Sequence, residues 1–91
     1  MATIALFLNI DRERVASSVK EAVEKLDSAE GEAVLDFSSV LRIDSTDMRA
    51  LEELVHRADE RAIKVVLRSV NVDVYKVLKL VKLTRRFSFV N

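Results

Sequence analysis

Val34-Leu35-Asp36-Phe37-Ser38-Ser39-Val40-Leu41-Arg42-Ile43-Asp44-Ser45-Thr46-Asp47-Met48 is the stretch that decides how the rest of the chain is read. With Ala33 it opens as a short apolar run, Ala33 to Phe37, which reads as a buried strand. It closes on Asp44-Ser45-Thr46-Asp47, which reads as a helix start, because Asp, Ser and Thr supply side-chain oxygens for the free N–H groups there. Asp47 in the first turn also suits the helix dipole. A strand that runs into a hydroxyl-bearing helix start presents a Ser and several backbone N–H groups at one edge of a fold. Such a corner suits a phosphoryl group or a partner protein.

Outward from this stretch the pattern repeats. Towards the N-terminus, Thr3 to Asn9 holds the run Ile4-Ala5-Leu6-Phe7-Leu8, expected as a strand covered on both faces or nearly so. Asp11 is placed to cap the helix that follows. Arg12 to Leu26 carries Val15, Val19, Ala22, Val23 and Leu26 on one stripe. Towards the C-terminus, the helix from Ser45 carries Met48, Leu51, Leu54, Val55, Ala58 and Ala62. Ile63 to Leu67 is a third strand. Val72 or Asp73 to Lys82 is a third helix with Val74, Val77, Leu78 and Val81 inward. Phe87 to Val90 alternates as a short edge strand. Phe7, Phe37, Phe87 and Phe89 are expected in the core. The order βαβαβαβ predicts an α/β fold with a mainly parallel four-stranded sheet, its helices chiefly on one face.

Composition narrows the function. Ninety-one residues with 49 % apolar content make one domain with one core. There is no Cys, so disulfides, thiolate metal sites and Cys nucleophiles are out. One Gly and no Pro exclude both glycine-rich phosphate cradles. His56 is the only His, so a zinc site would need carboxylates, and an exposed helix residue is its ordinary reading. Ser45 has no base near it in sequence. Asp36 and Asp44 read as strand-end and cap residues rather than an acid–base pair. No enzyme, cofactor or metal is expected. No basic-then-apolar leader and no spanning stretch is visible, so the expected location is the cytoplasm, without membrane insertion.

Net charge is zero but uneven. Residues 1–45 carry nine acids and five bases, and residues 46–91 six acids and ten bases. Residues 64–86 hold seven basic side chains against Asp73 alone, and Lys76, Lys79 and Lys82 share one side of the third helix. Too few aromatics interleave for a nucleic-acid surface. A solvated face is the ordinary reading, with an acidic partner or anionic headgroups second.

The order Val34-Leu35-Asp36-Phe37-Ser38, Val40, Ile43-Asp44-Ser45-Thr46 and then a helix resembles the signature of the STAS domain family. The family includes bacterial anti-sigma-factor antagonists, stressosome proteins and the cytoplasmic ends of anion transporters. Leu8 to Leu26, and Ile63 to Leu67 through Lys82-Leu83-Thr84-Arg85-Arg86-Phe87, are similar to its other passages, so the resemblance covers residues 1–91 as one STAS-like domain. It implies a regulatory module that binds an anti-sigma factor or serine kinase, competing with a sigma factor. It implies phosphorylation at Ser45, with Thr46 second, and a partner surface of Asp11, Asp44, Ser45, Thr46, Asp47 and Met48. The alternative it implies is a STAS subunit of a lipid or anion transport complex. Oligomeric state is left open. The chain departs from the family at Asp47, where a Gly is usual. If that position needs positive φ, Asp costs more than Gly, and its carboxylate would repel an incoming phosphate.

Overall fold

The computed structural model describes residues 6–90. Strand β1 is Leu6–Asn9, helix α1 Val15–Lys25, β2 Glu32–Asp36, α2 Ser45–Glu60, β3 Lys64–Arg68, α3 Val72–Leu80 and β4 Ser88–Val90. Short 3-10 turns, Leu26–Ser28 and Thr84–Arg86, follow α1 and precede β4. The sheet is wholly parallel in the order β1-β2-β3-β4, so chain order is spatial order and β4 lies at an edge, as expected. The part of the first expected strand at Thr3 to Ala5 lies outside the described residues.

The register decides which side chains share a face. Leu6 pairs with Ala33 and Ala33 with Val65, while Leu8 pairs with Leu35, Leu35 with Leu67 and Leu67 with Phe89. These rows meet Val15, Val19 and Ala22 of α1, Leu51, Leu54 and Val55 of α2, and Val74 and Leu78 of α3 in one apolar core. Successive side chains of a strand point to opposite faces. The row Phe7, Val34, Val66 and Ser88 therefore lies on the other side. Val66 is buried but stands outside that core, and Phe7 is 50 % exposed. The expected two-sided cover of β1, and Phe7 as a core residue, are thus corrected. A continuous apolar run such as Ile4 to Leu8 has no alternation to reveal one-sided burial. Phe37 and Phe87 are buried. Phe89 stacks edge-on against Tyr75 of α3 at 5.1 Å, fastening β4 to the layer of helices.

Two helices stop by the same device. At the end of α2 the Ile63 N–H returns to the Ala58 carbonyl at 2.9 Å, and that of Ala62 to Asp59 at 3.2 Å. At the end of α3 the Leu83 N–H returns to Leu78 at 2.9 Å, and that of Lys82 to Lys79 at 3.1 Å. Both are Schellman turns with their apolar clasp, Ile63 on Ala58 and Leu83 on Leu78, buried. The left-handed residue is normally Gly, but here it is Ala62 (φ 55°) and Lys82 (φ 61°). The turn carries Ala62 out of the helix and leaves it exposed, so it does not belong to the apolar face expected for α2. Val81, expected inward, is the cap residue of α3 and is 40 % exposed for the same reason.

Leu35→Ala is expected to cost about 2–5 kcal/mol of unfolding free energy in urea melts, since Leu35 is fully buried at the centre of the sheet. Ala62→Gly is expected to raise stability by about 0.5–1 kcal/mol in the same melts, because it removes a β-carbon from a left-handed position.

Candidate functional site at the C-terminal edge of the sheet

In a parallel sheet every strand delivers its following loop to the same edge, and in open α/β sheets that edge is where ligands and partners meet the fold. The connection from Phe37 to Asp44 has no regular structure, yet it is tied at three points. At its start the Ser38 N–H donates to Asp36 Oδ1 at 2.8 Å. In its middle Val40 is buried, its N–H bonded to the Phe37 carbonyl at 2.9 Å. Asn71 Nδ2 donates to the carbonyls of Val40 (3.0 Å) and Leu41 (3.2 Å). The Oδ1 atom of the same side chain caps α3 by accepting from the Val74 N–H at 2.8 Å. One amide thus joins the start of α3 to the loop that leads into α2.

The third tie is a reciprocal capping box. Asp44 is the N-cap of α2, and its Oδ1 accepts from the Asp47 N–H at 2.9 Å. Asp47 Oδ2 accepts in return from the Asp44 N–H at 3.0 Å. Asp47 is in the helix, and no left-handed φ is required of it, so the loss of the family's Gly costs nothing in backbone conformation. Partial burial pushes the Asp47 carboxyl above its ordinary value of 3.8. The Asp44 N–H holds it down, the neighbouring Asp44 carboxylate pushes it up, and the Ala16 N–H beside it holds it down. That last group belongs to the first turn of α1, so the starts of α1 and α2 adjoin. Asp36 moves the other way, held low chiefly by the Ser38 N–H and hydroxyl, and further by Arg68 across the sheet.

The structure brings Asp44, Ser45, Thr46, Asp47 and Met48 onto one turn. Ser45 and Thr46 are exposed, and Asp47 and Met48 half-buried. Ser45 is the first helical residue rather than the cap, so its hydroxyl is not what starts the helix. Asp11 lies on the neighbouring loop but does not cap α1, whose N-cap is Arg14. Its Oδ1 accepts instead from the N–H groups of Glu13 (2.8 Å) and Arg14 (3.2 Å), a turn that delays the helix to Val15. Asp11 also lines a cleft of about 880 Å³ between the two loops, with Asn9, Arg12, Ser38, Ser39 and Leu41 among its walls. Sequence reasoning missed Ser38 and Ser39 as site residues, since a Ser pair after a strand is ordinary turn composition. Nothing in the run Phe37 to Asp44 sets the two serines apart from ordinary turn residues. Among the described residues no cluster suited to a metal ion occurs.

The family model for the STAS domain matches residues 3–91. The chain belongs to the STAS domain family. Among solved structures it is similar to a candidate anti-sigma factor antagonist of Thermotoga maritima, with 24 % identity and a TM-score of 0.73, over 96 % of this chain and 73 % of that one. It is similar also to a sulfate transporter family protein of Wolinella succinogenes, with 20 % identity and a TM-score of 0.77, over 98 % of this chain and 80 % of that one. Identities this low establish the shared fold. No curated protein matches in sequence. The four-stranded parallel sheet with three helices is thus a STAS fold. Among the described residues, no helix of this STAS chain is long and apolar enough to cross a membrane.

Asp44→Ala is expected to cost about 1 kcal/mol of stability by removing one half of the box. Asn71→Asp keeps the cap on Val74 but loses both donations to the loop, so amide hydrogen exchange is expected to quicken across residues 40–44 while α3 stays protected. Because Asp47 takes up its proton earlier in the folded state than in the unfolded one, the native chain is expected to gain stability relative to Asp47→Asn as pH falls from neutral towards 3.8. Denaturant melts of both proteins at pH 7 and pH 4 read this difference.

Proposed function

We propose that the chain is a cytoplasmic regulatory module that binds an anti-sigma factor with serine-kinase activity through the Asp11, Asp44, Ser45, Thr46, Asp47 and Met48 surface, and that phosphorylation of Ser45 releases the partner. The observation that carries this reading is the division of labour at the start of α2. Asp44 and Asp47 make the capping hydrogen bonds, and Ser45 stands exposed between them. A hydroxyl that does not hold the helix can be modified without unfolding it.

The electrostatics support a switch. A phosphoryl group adds close to two negative charges. At Ser45 it would sit at a helix start that favours an anion, but beside the carboxylates of Asp44 and Asp47. The helix tolerates the group, while a partner surface built to meet a neutral hydroxyl and two carboxylates meets a much denser negative charge. Binding is lost through repulsion and desolvation. The unmodified module then competes with a sigma factor for the anti-sigma factor, and the modified one does not. Thr46, one position further along the helix, is the second candidate for the same modification.

A second reading, a subunit of a membrane transport complex, has in its favour the cationic and apolar outward face of α3. In that reading Ser45 is never modified.

Affinity capture from native lysate with the unmodified chain and with Ser45→Asp, followed by identification of captured proteins, separates the readings. An anti-sigma kinase is expected on the unmodified chain, bound at least tenfold more weakly by Ser45→Asp, and it is expected to place phosphate on Ser45 in vitro. Equal binding of both forms overturns the switch. Capture of a transporter subunit by both supports the second reading.

A further inference from the structure

The outward face of α3 and the turn that follows it are separate from the Ser45 corner. Val72, Tyr75, Leu80 and Val81 are four of the seven large apolar side chains exposed among the described residues, and Leu80 is 81 % exposed. Lys76 and Lys79 lie between them, and Lys82, Arg85 and Arg86 follow. Single exposed apolar residues need no explanation, but three on one short helix among lysines, with Val81 in the turn that ends it, form a patch.

The backbone explains why the cations converge. The Schellman turn reverses the chain at Lys82, and the 3-10 turn Thr84–Arg86 winds it back beside the end of α3. Lys79, Lys82, Thr84, Arg85 and Arg86 together line a concavity of about 510 Å³, within the range of small-ligand sites. Arg86 is paired with Asp59. Among the described residues no carboxylate pairs with Lys79, Lys82 or Arg85. Three unneutralised cations held together repel one another. Lys82 also occupies a left-handed position that Gly would hold at lower cost. Both features weaken the bare fold, and an anion seated among these side chains removes the repulsion.

We propose that this concavity binds a phosphate group. Lys79 and Lys82 supply point charges, Arg85 a forked donor and Thr84 a hydroxyl donor. The phosphate comes either from a free phosphorylated small molecule or from a phospholipid headgroup. Leu80 distinguishes the two sources. Against a bilayer it enters the boundary between headgroups and acyl chains, whereas with a soluble ligand it stays in water.

Two probes test the proposal at low salt: inorganic pyrophosphate, followed by amide chemical shifts, and phosphatidylcholine vesicles with and without phosphatidic acid, followed by co-sedimentation. Shifts centred on residues 79–86, or sedimentation that requires phosphatidic acid, are expected. Lys79→Gln/Lys82→Gln/Arg85→Gln is expected to weaken whichever response occurs at least tenfold. The charge-matched Lys20→Gln/Lys25→Gln/Arg57→Gln, on exposed faces of α1 and α2, is expected to keep it. Lys82→Gly is expected to raise the melting midpoint and still weaken binding, which separates loss of the site from loss of the fold. A headgroup source is shown by vesicle binding that drops with Leu80→Ser, and a soluble source by pyrophosphate binding that Leu80→Ser leaves unchanged. No response to either probe, or equal loss in the charge-matched variant, overturns the site.

Discussion

The layout of this molecule follows from one constraint, a wholly parallel sheet laid down in chain order. A parallel crossover has a preferred hand, and successive crossovers stepping in the same direction put every helix on the same side. One face of the sheet therefore carries the whole core, from Val15 and Leu51 to Leu78. The other carries the row of Phe7, Val34 and Val66. The same constraint sends the loops after Asn9, Asp36 and Arg68 to one edge, where Asp11, the cleft and the start of α2 come together.

A loop at that edge has no ladder to hold it, so side chains do the work. The Phe37-to-Asp44 connection is held by Asp36 at one end, by Asn71 in the middle and by the Asp44–Asp47 box at the other. Asn71 is the economical part of this arrangement. A single amide caps α3 with its oxygen and secures the loop with its nitrogen, coupling the position of the third helix to the segment that presents Ser45.

Much of the architecture was legible because helices and strands leave different periods in a sequence. The stripes Val15-Val19-Ala22 and Leu51-Leu54-Val55-Ala58 bury as their spacing requires, and alternation of strand and helix implies parallel pairing. The box at Asp44 and Asp47 was legible in outline as a helix start rich in oxygens. What escaped depends on distance or on a few residues. Phe7 sits in a continuous apolar run, which has no alternation to show which face is covered. Val81 follows the expected stripe but falls in the turn that ends the helix. The bond from Asn71 to Val40 spans thirty-one positions and has no local signature. Asp11 looks like a cap, and only the turn it makes with Glu13 and Arg14 shows that the helix begins later.

The identity of chain order and spatial order bears on how the molecule comes into being. Leu6 meets Ala33, Ala33 meets Val65 and Val66 meets Ser88. Each pairing thus closes a loop of about 20 to 30 residues, and the entropy of closure grows only slowly with length. No strand must be inserted between two already paired. As the chain leaves the ribosome, each new strand finds its one neighbour already synthesised, so the sheet can grow by addition at a single edge. Such a topology requires no pairing between the first strand and the last, so no strand waits for the far end of the chain before it finds a neighbour.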